Sequence, residues 1–270
     1  MKRENVNRKS AVKALAIALI LIAVMAVSLN YLPLDEKYWK PFLPSSTARA
    51  SPCNPLKGNW STDAEITSLN SLGITYAVHG NGSPDDNVTI STDFAHSGTR
   101  SFKITSVDGR TELQFYPGSL IKDDFYYSWW AYIPSTMGYP SDNQWLVLFQ
   151  VEGSLTEGFY PIAKLQLQPH NPTLNLGWQD ASGEQHIVEH SSAVLPRDQW
   201  VHFEWYTHIG TNGEFTLWMN GTKVWDVTNF DNSELTASTF YFMNDLYGMD
   251  GTYYIDDLSL FNVNMNGTAP

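Results

Sequence analysis

Between residues 56 and 264 the chain alternates short apolar runs with turn signals and holds no helical period for long. Phe125 to Ile133, Trp145 to Val151, Ile162 to Leu167, Trp200 to His208, Glu214 to Met219 and Tyr253 to Phe261 are rich in aromatic and β-branched residues, the composition of strands. Asp108-Gly109, Pro117-Gly118, Ser182-Gly183, Asn212-Gly213, Asn220-Gly221 and Asp250-Gly251 separate these runs as tight turns. Periodic, capped helices are missing, which argues against α/β architectures. The pattern predicts an all-β domain, a sandwich of two curved antiparallel sheets over residues 56–264.

The start of the chain reads differently. Lys2, Arg3, Arg8, Lys9 and Lys13 precede an apolar stretch from Ala14 to Leu29, the layout of a signal peptide or a membrane anchor over residues 1–32. Either reading exports the remainder of the chain, so the expected location is extracellular, secreted or anchored to the cell membrane by the N-terminus. Membrane contact is expected only through this segment. Residues 33–55, with several prolines and Ser45-Ser46-Thr47, read as a linker, and Ala48-Arg49-Ala50 has the small-residue spacing of a cleavage site. Sequons at Asn59, Asn81, Asn87, Asn220 and Asn266 agree with export from a glycosylating cell.

Composition narrows the partners. With 43% hydrophobic and 14% aromatic residues, a chain of 270 can fill one large core. The formal charge is −12, and past Lys13 acidic residues outnumber basic ones more than two to one, so no nucleic acid is expected as partner. The single Cys53 excludes an internal disulfide, and His and Cys spacings of a zinc site are absent.

Pro196-Arg197-Asp198-Gln199-Trp200-Val201-His202-Phe203-Glu204-Trp205, followed by Gly213-Glu214-Phe215-Thr216-Leu217-Trp218-Met219-Asn220-Gly221, resembles the paired strands of concanavalin-like jelly rolls. Trp200 and Trp218 are expected to fill core positions, with Asn220-Gly221 making the turn. Three further segments resemble the alginate, glucuronan and heparin lyase group of these jelly rolls: Arg110-Thr111-Glu112-Leu113, Gln150-Val151-Glu152 and Tyr241-Phe242-Met243-Asn244-Asp245-Leu246-Tyr247. The resemblance covers residues from about 90 to 261 in the group's order and implies a polysaccharide lyase acting on uronate-containing polymer.

Such an enzyme removes the proton beside a uronate carboxylate and expels the oxygen on the neighbouring carbon. Donors must stabilise the charge that builds on the carboxylate, and a Tyr or His must move the proton. The resemblance assigns carboxylate binding to Arg110 and Gln150 and proton transfer to Tyr247, with Glu112, Glu152, Tyr241 and Asn244 from the same motifs contacting the sugar, and Trp178 is added to the sugar contacts for its flat aromatic face. Glu152 stands where the group carries His, and Met243 where it carries Lys. A carboxylate at Glu152 repels a uronate unless it is protonated or paired. The missing imidazole is sought in His170, with His186 and His190 as alternatives, while His202 and His208 sit in the framework hairpin.

Plainer readings stand beside these. Arg110 and Glu112 also fit a solvated ion pair, Gln150 a buried amide, and Tyr241 and Tyr247 core aromatics. Trp129, Trp130, Trp145 and Trp178 offer flat faces to sugar rings, although with ten Trp most belong to the core. Asp256-Asp257 resembles the strand that supplies a structural calcium ligand in carbohydrate-binding jelly rolls, which points to Asp257. A non-catalytic binding module of the laminin-G or lectin type is the main alternative. A glycoside hydrolase ranks third, because its E-x-D-x-x-E strand is absent.

Overall fold

A computed structural model describes residues 60–69, 72, 75–80, 87–107, 109–116, 124–155, 158–179, 185–233 and 241–263. All lie in one compact unit, Arg49–Pro270. The N-terminal segment 1–32 and the linker 33–55 lie outside the described residues, as does the lone Cys53.

Fifteen strands follow in order: β1 (Trp60–Thr62), β2 (Thr75–Gly80), β3 (Asn87–Ser91), β4 (Ser101–Ser106), β5 (Arg110–Tyr116), β6 (Asp124–Tyr132), β7 (Trp145–Leu155), β8 (Gly158–Leu167), β9 (Thr173–Gln179), β10 (Gln185–Val194), β11 (Trp200–His208), β12 (Gly213–Met219), β13 (Thr222–Phe230), β14 (Tyr241–Tyr247) and β15 (Gly251–Val263). One sheet of eight strands runs β13-β12-β11-β6-β15-β4-β3, with β1 added beside β15. The other, of seven, runs β10-β9-β8-β7-β14-β5-β2. The pairings are antiparallel throughout, so the all-β sandwich expected from the turn signals is the fold of the described residues.

Alternation along each strand divides it into a core face and an outward face. On the seven-stranded sheet Leu113, Phe115, Leu146, Leu165, Leu167, Leu174, Leu176 and Leu246 turn inward. Phe125, Tyr127, Trp129, Val201, Phe203, Trp205, Phe215 and Leu217 meet them from the eight-stranded sheet. Phe149 sits where the two layers lock, with its ring centroid 5.0 Å from Tyr127, 5.1 Å from Trp129 and 5.0 Å from Trp205.

In β7 the alternation breaks. Val147 pairs with Gln166 and Phe149 with Leu165, and across the other edge Met243 pairs with Gln150 while Asp245 pairs with Val147. Both neighbours therefore count one residue fewer than β7, a β-bulge at Leu148-Phe149 in which two successive side chains enter the core.

The framework hairpin forms between β11 and β12, and Asn220 (φ 49°) and Gly221 (φ 74°) adopt the left-handed conformation that a tight turn requires. Of its tryptophans, Trp218 is buried as expected but in a small cluster apart from the core between the sheets, and Trp200 is only partly buried, contrary to the expectation. Trp218 packs with Tyr126 and Phe261 on the outward face of the eight-stranded sheet, and Trp200 lies against Tyr132 and His96 there. Trp205 takes the inward position instead, because the strand's alternation places Val201, Phe203 and Trp205 on the core side.

Candidate active site

The outward face of the seven-stranded sheet carries polar side chains in rows across the strands. Backbone register gives one row as Arg110, Tyr247 and Trp145, and a second as Glu112, Asp245, Val147, Gln166 and Asn175. A third joins Gln150, Lys164 and Gly177. Where the rows meet over β5, β14, β7 and β8 a pocket opens, lined by Arg110, Trp145, Val147, Gln150, Lys164, Asp245 and Tyr247. β14 lies within the sheet between β5 and β7, and brings Tyr247 between Arg110 and Trp145.

The bulge makes this convergence possible. Trp145 and Val147 occupy odd positions of β7 and Gln150 an even one, yet all three line the pocket, because the extra residue resets the alternation between them.

Tyr247 is held on both faces. Its ring centroid is 4.8 Å from that of Trp145, and the Arg110 guanidinium carbon lies 5.8 Å from it on a cation–π approach. Gly248 follows in a left-handed conformation (φ 66°), its N–H donating to the Gly109 carbonyl at 2.7 Å, and its own carbonyl accepts from the Gln144 side chain. These contacts fix the strand end while leaving the Tyr247 residue 40% exposed, so its hydroxyl end is open to a ligand.

Arg110 faces two carboxylates. Its guanidinium pairs with Glu112 and reaches Asp245 Oδ2 at 3.2 Å, and those carboxylate side chains are only 4% and 6% exposed. Glu112 also accepts from Gln114 at 2.5 Å, and Gln114 accepts from the Tyr116 hydroxyl at 2.6 Å, so β5 carries a hydrogen-bonded chain along its outward face. Removing the guanidinium would leave two buried carboxylates without compensation. The arrangement fits Arg110 as the counter-charge of the pocket wall. Gln150 and Lys164, paired across β7 and β8, are the other pocket donors on the far side of Asp245.

Other sequence candidates lie elsewhere. His170 occupies the β8–β9 turn, with φ 55°, its N–H donating to the Pro140 carbonyl at 2.8 Å and its ring 3.7 Å from Asp142. Its side chain is 66% exposed and absent from the pocket lining, so the turn, and not the sheet, claims it. Trp178 follows Leu174 and Leu176 on the inward face of β9, stacks on His186 at 5.1 Å and packs against the core. Alternation alone keeps it from the outward face. Tyr241 pairs in register with Glu152, and Asn244 with Leu113. The side chains of Glu152, Tyr241 and Asn244 lie outside the described residues.

Asp257 lies on an irregularity of β15 with φ 47°. Its Oδ2 is 2.5 Å from His96 Nδ1, and its Oδ1 accepts from the Ser97 hydroxyl at 2.6 Å. Neighbouring Asp256 accepts from the N–H groups of His96 and Ser97 at 2.9 and 3.3 Å. A calcium ion takes about six to eight oxygen ligands, whereas here both carboxylates already engage N–H and O–H donors. Among the described residues no group of three or more His, Cys, Asp or Glu is arranged to hold a metal. The donor set does not fit the calcium that the sequence suggested.

Lys164 and Asp245 join the site without any signal in the sequence. Lys164 sits in a run that reads only as a strand, and Asp245 lies inside a motif whose tyrosines carry the resemblance.

Comparison with known proteins places this geometry. No curated protein matches the chain in sequence. Among solved structures, an endo-β-1,4-glucuronan lyase from the fungus Trichoderma reesei is similar at a TM-score of 0.58 and 16% identity, over 79% of this chain and 99% of that one. An alginate lyase from Chlorella virus is similar at 0.56 and 13% identity, over 78% and 100%. The cellulose-induced protein Cip1 follows at 0.53 and 18%, over 76% and 98%. At these identities the likeness is one of fold, the concanavalin-like jelly roll. The family model described as polysaccharide lyase matches residues 57–259, which is most of the chain and nearly the whole sandwich. The chain belongs to the polysaccharide lyase family.

Proposed function

We propose that the pocket on the seven-stranded sheet cleaves a uronate-containing polysaccharide by β-elimination. The observation that carries this reading is the meeting of Tyr247, Gln150, Lys164 and Arg110 around one pocket of the sheet. Its volume of about 190 Å³ is below the roughly 300–1,000 Å³ of small-molecule clefts, a size suited to one ring of a longer chain. Gln150 and Lys164 hold the uronate carboxylate and stabilise the charge it gains as the neighbouring carbon loses its proton. Tyr247 moves that proton, taking it from the carbon or delivering it to the leaving oxygen. Arg110 offsets Glu112 and Asp245, so the wall does not repel the substrate. An export signal or anchor at residues 1–32 would carry the domain outside the cell, where such polymers lie.

One specific observation favours a second reading. Glu112 and Asp245 already engage Arg110, which commits the guanidinium to the pocket wall, an arrangement that a non-catalytic binder of neutral glycan would tolerate. Incubation with alginate, polyglucuronate and heparin, following the ultraviolet absorbance of the unsaturated product, separates the two. Elimination on any of them supports the lyase. Polymer binding without product supports the binding module.

A further inference from the structure

The polar floor continues past the pocket. Gln166 on β8 pairs with Val147 of the pocket wall and, on its other side, with Asn175 on β9. Both face outward: Ala163, Leu165 and Leu167 take the core side of β8, and Leu174 and Leu176 that of β9. Both residues are 6% exposed, and the Gln166 Oε1 and Asn175 Oδ1 oxygens have no hydrogen-bond partner among the described residues. A buried acceptor left unmade forfeits its full hydration, so side-by-side examples in a sheet of otherwise regular pairing call for a reason.

We propose that Gln166 and Asn175 form a second sugar subsite, which accepts hydrogen bonds from the hydroxyls of the ring next to the one in the pocket. This rests on the lyase reading of the pocket. Amide oxygens accept, so the subsite takes the hydroxyl edge of its sugar. Adjacent strands are about 4.8 Å apart, which sets Asn175 about 10 Å from the β7 wall, along the direction of the rows. The polymer therefore crosses the strands from β14 toward β9.

Gly177 shapes the same corner. It lies two residues beyond Asn175 on that face, and the space a Cβ would take is bordered by Lys164 Cε at 3.4 Å and Cγ at 3.5 Å. The lysine stem rests over the glycine, at the edge of the pocket and beside the two amides.

The test replaces both amides by apolar side chains of similar shape, Gln166→Met with Asn175→Leu, and reads three quantities. With size-fractionated polyglucuronate and alginate, KM should rise about tenfold on long fractions and stay near wild type on the shortest cleavable ones, with kcat within about twofold. Calorimetric Kd for the long fractions should weaken by a similar factor. The melting temperature should hold or rise, because removing an unmet acceptor relieves the free protein. An unchanged KM and Kd, or a lowered melting temperature without either change, overturns the subsite and leaves the lyase reading standing. Failure of the wild type to eliminate on any polymer, with Kd still weakened by the double change, would instead retire the lyase reading and keep the subsite. Failure to bind any polymer overturns the subsite.

Discussion

The outward faces of the two sheets use the same strand grammar to different ends. On the eight-stranded sheet every prominent polar group described is closed off by a neighbour. His96 stacks on Trp130 with centroids 3.7 Å apart, Trp130 on His202 at 4.6 Å, and Ser128 bonds His202 Nε2 at 2.8 Å. Glu204 accepts from the Tyr126 hydroxyl, and Asp124 from the Tyr206 hydroxyl, beside His208 at 2.7 Å. On the seven-stranded sheet the polar rows end in a pocket, in a half-exposed Tyr247 and in amide oxygens without partners. A face that satisfies itself is structure; a face whose polar rows end in a pocket and in unpartnered acceptors is prepared for something else.

That contrast can be broken by mutation. The largest effect should come from Tyr247→Phe, which keeps the ring between Trp145 and Arg110 and removes only the hydroxyl. Elimination should fall by about 10²–10⁴-fold with the melting temperature nearly unchanged. A residual rate above a tenth of wild type would move proton transfer to another group. Arg110→Gln comes next, since it strands Glu112 and Asp245. A fully buried pair loses about 3–5 kcal/mol on such a change, and with Arg110 a third exposed about 2–3 kcal/mol is expected from denaturant unfolding at neutral pH.

The opposite sheet should answer in stability alone. Trp130→Ala opens the stack between His96 and His202 and should cost about 1–2 kcal/mol, less than a fully buried Trp, with the elimination rate per folded molecule unchanged. A loss of specific activity there would erase the distinction between the faces. The smallest effect is a pH dependence at Asp256, whose carboxyl burial pushes up to about 6, against the accepted backbone N–H groups that pull it down. Its unfolded value is about 3.9, so the folded protein takes up a proton as pH falls through that window, and stability from this group is lost as pH rises past it. Asp256→Asn should therefore gain in melting temperature relative to wild type as pH rises from about 4 to about 6.5, and a flat difference would show that its hydrogen bonds outweigh its burial.

Much of the molecule is legible in the sequence. Strand and turn composition yields the sandwich and the Asn220-Gly221 turn, because those are local properties. Short motifs single out Arg110, Gln150 and Tyr247, and the three line one pocket. The residues that escape are those set by register. Lys164 enters the pocket only because β8 pairs with β7 one row from Gln150, and nothing in Ile162 to Leu167 announces it. Trp178 resembles a sugar platform until alternation puts it inward, and His170 a catalytic imidazole until a left-handed turn takes it. Trp200 and Trp218 go outward for the same reason, a phase of alternation that sequence alone leaves undetermined.

The doubled step at Leu148-Phe149 behaves as a reading frame. The two inward steps at the bulge keep Val147 and Gln150 on the same outward face, so a one-residue deletion there would only restore plain alternation, with Gln150 still outward and one core side chain lost, whereas a one-residue deletion elsewhere in β7 would throw its two halves out of phase. Point substitution explores a catalytic face residue by residue; a shift of this frame exchanges half a strand at once. Phe149, wedged among Tyr127, Trp129 and Trp205, makes that frame costly to shift. Length variation in this lineage is therefore expected to fall in the loops and to spare the regular stretches of β7 on either side of the bulge.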